Sequence, residues 1–272
     1  MKRSLALYGL FAAMIPMLAT AADPLGPPKA SLAPGQFSLG LEYSYADLNL
    51  ERIRADGKRL PINIDDMNTA YLSLSMGAAE WLEFFVRVGA ITMDGDRQVE
   101  MRNYTKDWSY DYDEGAIYDA GLRLTLGTFR NVTFGAVASY SYADFDGGYR
   151  MDFIRNSSGS ISYWDWGSLD AELQQVTVAL GATWPILENV SLYGGALLHH
   201  VRLTQRIQIE GNSDDEWDPM TQTSVYKNDD GGTMLGGYAG LEWQINERLN
   251  LAVEGSITEN SCGGSAMLGV NF

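Results

Sequence analysis

The chain has 272 residues, a formal net charge of −16 at neutral pH and 46% apolar residues. Acidity on this scale repels nucleic-acid phosphates and excludes that class of partner. The single cysteine, Cys262, excludes an internal disulfide.

The chain opens as a secretory signal: Lys2 and Arg3, an apolar run from Leu5 to Leu18, and the small residues Ala19-Thr20-Ala21. The apolar run is shorter than the roughly 20 residues of a spanning helix. Residues 1–21 therefore read as a cleaved leader, whose loss leaves the mature chain more acidic still. Residues 22–35, with DPLGPPKASLAPG at their heart, show no periodicity and read as a proline-rich periplasmic linker.

From Phe37 onward apolar residues recur every second position, the signature of half-exposed β-structure. Phe37, Leu39, Leu41 and Tyr43 form the first stripe, Leu72, Leu74 and Met76 the second, Phe84, Val86 and Val88 the third. Later blocks include Tyr118 to Leu124, Phe134 to Tyr140, Val176 to Trp184, Leu192 to Leu198, Leu241 to Trp243 and Leu249 to Val253. The last stripe is Ala266, Leu268, Val270 and Phe272, flush with the chain end. About ten strands result, with eight and twelve as alternatives. The count of twelve arises if segments such as Ile161–Trp166 or Thr223–Lys227 pair separately, and Asp56-Gly57 suits a hairpin turn.

Short connections fall near Ala79-Glu80, Gly127–Asn131, Pro185–Asn189 and Asn246–Arg248. Long ones fall at Glu51–Asp66, Asp94–Glu114, Asp144–Asp170 and Arg206–Asp230, and the last hairpin lies at Glu259–Gly264. This asymmetry suits a membrane barrel with tight periplasmic turns and long outer loops. No proline interrupts a proposed strand, and charge avoids the centres of the apolar stripes, so the stripes face lipid and the sheet must close. Trp81, Trp184, Trp243 and Phe272 beside the short turns, with Tyr45, Tyr140 and Tyr142 beside the long loops, make two aromatic girdles.

Taken together, the leader, the alternating strands and the terminal Leu268-x-Val270-x-Phe272 resemble a Gram-negative outer-membrane β-barrel protein. The resemblance implies an all-β, transmembrane, antiparallel up-and-down barrel over residues 36–272, integral to the bacterial outer membrane, with periplasmic termini. It also implies outer-membrane lipid and lipopolysaccharide as surroundings. Leu268, Val270 and Phe272 are then the assembly signal read by the barrel-assembly machinery.

The face opposite the stripes reads as small or polar throughout. Parity turns Glu42, Glu83, Arg87, Asp119, Arg123, Glu242 and Glu254 inward, a polar cluster that fills a narrow lumen with hydrogen bonds and ion pairs. The reading that follows is a monomeric, non-enzymatic barrel without cofactor, in a structural or surface-interaction role. Its acidic, aromatic outer loops face a ligand or divalent cations. A narrow cation-favouring porin is the alternative.

Ten strands, Lys106-Asp107-Trp108 and Asp214-Asp215-Glu216-Trp217 are also weakly similar to omptin proteases. That similarity implies Asp107 and Asp215 as acids, but the histidine expected near Trp217 is missing. The only histidines, His199 and His200, are adjacent and point to opposite faces of one strand, which argues against a paired metal site.

Overall fold

Alternation of this length gives ten antiparallel strands. They are β1 (Phe37–Ile53), β2 (Arg59–Ala79), β3 (Leu82–Glu100), β4 (Tyr104–Phe129), β5 (Val132–Arg155), β6 (Ile161–Leu187), β7 (Val190–Asn212), β8 (Val225–Gln244), β9 (Leu249–Thr258) and β10 (Ser261–Asn271). The computed structural model describes residues 24–53, 59–100, 104–155, 161–212 and 225–272. The leader, the Asp56-Gly57 turn and Asp214 to Trp217 lie outside the described residues. Each strand pairs with its sequence neighbours, and β1 pairs with β10, closing the barrel. Ser38 faces Asn271 and Leu48 faces Ser261 across that seam. The segments Ile161–Trp166 and Val225–Lys227 continue β6 and β8 and form no additional strands.

The strands are of two heights. β9 and β10 have 10 and 11 residues, just the roughly 9–11 that a tilted strand needs to cross a bilayer. β4 and β6 have 26 and 27. At ~3.3 Å per residue and a tilt of roughly 40°, these longer strands stand about 65 Å tall, against an apolar band of about 25 Å. Only β1–β8 continue beyond the turn between β9 and β10. The stretches read as long outer loops are thus corrected: among the described residues most of 94–114 and 144–170 is tall β-hairpin wall.

The cause is an inversion of pattern along each strand. In the lower part the outward residues are apolar and exposed, as at Leu41, Leu72, Val86 and Leu180, while the inward face mixes polar and charged residues with a small apolar cluster that includes Phe85, Val137 and Leu197. Above the level of Tyr45 and Tyr142 the same parity carries the opposite chemistry. On β5 the inward series runs Ser139, Ser141, then Ala143, Phe145, Tyr149, all buried, while outward Tyr140 gives way to exposed Asp144 and Asp146. On β6, Leu169, Ala171 and Leu173 are buried between exposed Asp170 and Glu172. Above the bilayer water replaces lipid outside, so the hydrophobic effect turns the apolar residues inward. The expectation of a small or polar inner face throughout is corrected: the upper half is apolar inside, and the lower half sets Phe85, Val137 and Leu197 among its charged and polar residues.

Candidate functional site

The upper interior is a dry core. Leu48, Ile62, Ile64, Met93, Tyr112 and Leu203 belong to one continuous buried cluster, and Trp108, Met151 and Ile209 pack against it. Two polar contacts lie within it: Arg97 with Asp230 at 2.9 Å, and the Gln205 amide, which donates to the Tyr112 hydroxyl.

Below it lies the ion-paired layer that parity points to. Arg87 binds Asp119 at 2.8 Å and Glu42 at 3.0 Å. Arg123 binds Glu83 at 2.6 Å. The Phe85 ring lies between the two guanidinium groups, 4.9 Å from that of Arg87 and 4.6 Å from that of Arg123, and Tyr71 of the upper core covers Arg87 at 5.1 Å. Glu242 takes Lys29 as its partner at 3.4 Å. Buried charges persist only when paired or hydrogen-bonded: six of the seven inward residues are in these ion pairs, and Glu254 accepts from two backbone amides.

The remaining partners come from an element the sequence disguised. Of the expected periplasmic linker, residues 22–35, residues 24–32 run inside the barrel as a plug and residues 33–35 lie exposed at its lower mouth. Starting at the short-turn end, the Gly35 amide donates to the Gly77 carbonyl at 2.8 Å. The Ser31 and Leu32 amides donate to one Glu83 oxygen at 2.8 and 3.3 Å, and the Ala30 amide to Thr125 at 3.0 Å. Higher up, the Leu25 and Gly26 amides donate to the two Glu254 oxygens at 3.1 and 2.9 Å. The Pro24 carbonyl accepts from Arg87 at 2.7 Å, and that of Leu25 accepts from Arg123. Leu25 itself is fully buried, packed in a small cluster with Phe85, Tyr193 and Tyr238.

A buried irregular segment must satisfy every amide it carries. Proline has none to satisfy. Four prolines among residues 24–35 leave eight N–H groups. All eight are bonded, the Lys29 amide to Pro27 and that of Ala33 to Gln36 completing the set. The wall makes room with glycine: a Cβ on Gly77 would lie 2.2 Å from the Ala33 carbonyl oxygen, and one on Gly135 1.7 Å from that of Pro28. A cavity of about 80 Å³ remains between plug and wall, lined by groups such as Ser38, Ser73, Glu42 and Asn250, enough for a few waters.

Other candidate residues stand apart. Asp107 alternates with core-packed Trp108 and so lies on the outer face of β4, directly opposite Asp152 of β5. Burial and the charges of Asp96 and Asp152 push its pKa up. His199 is fully buried against Gln175 at 3.0 Å, and His200 faces outward to Thr233 at 2.9 Å. Strand register relates His199 through Thr177 and Ser139 to Gly121, far down β4 from Asp107. Among the described residues no group of three potential ligands could hold a metal ion. Cys262 is a half-buried free thiol on β10.

No protein-family model matches the chain, and no curated protein matches it. Solved structures do. The outer membrane protease OmpT from Escherichia coli is similar with a TM-score of 0.57 and 9% identity, over 89% of this chain and 99% of that one. The translocator domain of the autotransporter NalP from Neisseria meningitidis aligns with a TM-score of 0.41 and 12% identity, over 88% of each chain. The toluene transporter TodX from Pseudomonas putida aligns at 0.37 and 10%, over 93% of this chain and 94% of its own. With its closed ring and exposed apolar belt, the chain has the fold of a ten-stranded transmembrane β-barrel of the outer-membrane kind.

Proposed function

We propose that this chain is a sealed, non-enzymatic barrel of the bacterial outer membrane that serves as a rigid, monomeric pillar for surface interaction. Its short turns and C-terminus face the periplasm. Its tall acidic wall faces outward, where divalent cations and lipopolysaccharide are its surroundings. The observation that carries the reading is the filling of the lumen among the described residues, by plug and ion pairs below and by an apolar core above. A ten-stranded ring leaves little space beyond its own side chains, whereas aqueous channels belong to wider barrels.

Single-channel recording in a planar bilayer tests it. A silent bilayer after confirmed insertion is expected, and reproducible cation-selective openings would establish the narrow porin instead. The hydrolase reading is disfavoured by the outward position of Asp107 and by the engagement of both histidines elsewhere. Cleavage of peptides by purified protein, abolished by Asp107→Asn, would restore it.

A further inference from the structure

Among the described residues, the large apolar side chains left exposed lie in the lipid-facing belt, at its edges or at the lower rim, with one exception. Trp166 is 45% exposed and sits on β6 ten residues beyond Val176, where the exposed apolar stripe of that strand ends. At ~3.3 Å per residue and a tilt of roughly 40°, this is about 25 Å into the water above the belt. Trp164 and Trp166 flank buried Asp165, so both point outward. A lone apolar side chain on a surface is ordinary, but two tryptophans side by side make a patch.

Trp164 is already in use. Arg150 of β5 lays its guanidinium over the ring at 5.3 Å while donating to Asp152 at 2.8 Å. Trp166 stands directly across the ladder from Arg150 and carries no stacked cation among the described residues. Just below it Gly148 and Ser168 face each other, and a Cβ on Gly148 would meet only the Gly167 carbonyl at 3.9 Å. The indole thus borders a shallow open trench.

The surroundings of the trench are acidic. Asp111 lies opposite Gly148, Asp146 and Asp170 face each other below, and Asp152 stands opposite Trp164 above. Against these acids the same face of β4–β6 offers one described cation above the belt, Arg150, and Asp152 already pairs with it. A second copy of this chain would bring the same negative charge and is repelled. A basic partner is attracted, and a guanidinium both stacks on an indole and pairs with carboxylates.

We propose, building on the surface-interaction role above, that Trp166 and its trench dock a basic segment of a partner protein, with an arginine on the open indole and the neighbouring aspartates as its counter-charges. Arg150 on Trp164 is the chain's own copy of that contact. The site lies on the outer wall and does not depend on the lumen: channel openings would refute the sealed pillar and leave the docking site standing.

The test measures binding of a fluorescein-labelled hexa-arginine peptide to the protein in detergent micelles, at about 0.15 M ionic strength, where distant charges are screened. Trp166→Ala is expected to weaken binding ~3-fold or more, the scale of an exposed cation–π contact, while Trp166→Phe retains much of the affinity. Arg150→Ala uncovers Trp164 and removes the resident cation, and is expected to tighten binding. Maltohexaose, a neutral saccharide, should not compete. An unchanged heat-modifiable gel shift verifies that each variant is folded. Affinity unchanged by Trp166→Ala, equal losses in the alanine and phenylalanine variants, or weakening by Arg150→Ala would each overturn the proposal. Displacement by maltohexaose would do so too, marking a saccharide platform instead.

Discussion

Phe37 and Phe272 exchange backbone hydrogen bonds, the Phe272 amide reaching the Phe37 carbonyl at 2.8 Å and the Phe37 amide the Phe272 carbonyl at 3.4 Å. This pair extends the β1–β10 seam one residue past Ser38 and Asn271, with Phe272 exposed at the lower rim. Deleting Phe272 removes this pair and the terminal aromatic together. The expected result is a large fall in the heat-modifiable, membrane-inserted form in cells, while protein refolded in detergent loses little stability. Normal insertion of the truncated chain in cells would show that Phe272 is not part of an assembly signal.

Arg87 pairs with Glu42 and Asp119 simultaneously. Arg87→Ala leaves two buried carboxylates uncompensated and should cost about 3–5 kcal/mol. Adding Glu42→Gln and Asp119→Asn should recover much of that loss, because the stranded charges are removed with their partner. Unfolding in urea, followed by the gel shift, measures both steps.

Gly77 touches the plug backbone where a side chain would stand. Gly77→Val should dislodge residues 30–35 at a cost of roughly 1–3 kcal/mol. Limited proteolysis near Lys29 should then proceed in the variant and not in the parent.

Deleting residues 24–35 empties part of the lower lumen but leaves the apolar core above it intact. The deletion variant should remain non-conducting in a planar bilayer and be less stable than the parent. Stable openings on plug removal would mean that the plug alone seals the barrel.

Asp107 and Asp152 stand directly opposite on neighbouring strands, an unfavourable cross-strand pair of like charges. The pKa of Asp107 is raised from its ordinary 3.8, first by burial and then by Asp96 and Asp152. The folded protein therefore binds this proton more tightly than the unfolded chain. Stability from this group is present below about pH 3.8 and is lost as pH rises through the raised value. Asp107→Asn should raise the thermal midpoint at pH 7, and the gain should shrink as pH falls toward 4. Melting curves of parent and variant at both pH values check the sign.

The lower half of the barrel was legible because lipid outside forces a strict apolar stripe, and parity then places Glu42, Arg87 and Asp119 on the opposite face. The upper half carries the same alternation with its sign reversed. Leu169, Ala171 and Leu173 alternate with Asp170, Glu172 and Gln174 in a stretch that reads as a loop when only outward apolar stripes are sought. Ala46, Leu48 and Leu50 extend β1 in the same way. The plug was hidden for a different reason. Proline richness suggests an unstructured tether, yet few amides are also what a buried irregular segment requires. The signal was in its neighbours: five inward acids faced only two inward arginines, and Lys29 with the plug amides supplies much of the difference.

The reversal of sidedness near Tyr45 and Tyr142 gives the molecule a fixed draught, like a hull with a painted waterline. Sinking by one residue pair would carry exposed acids such as Asp144 into hydrocarbon, and rising would lift Tyr140 and Val176 into water. Both displacements are uphill, so a bilayer of changed thickness must deform to meet the barrel, at fractions of a kcal/mol per Å of mismatch. The height at which the outer wall stands above the lipid is therefore a property of the protein, held constant whatever membrane surrounds it.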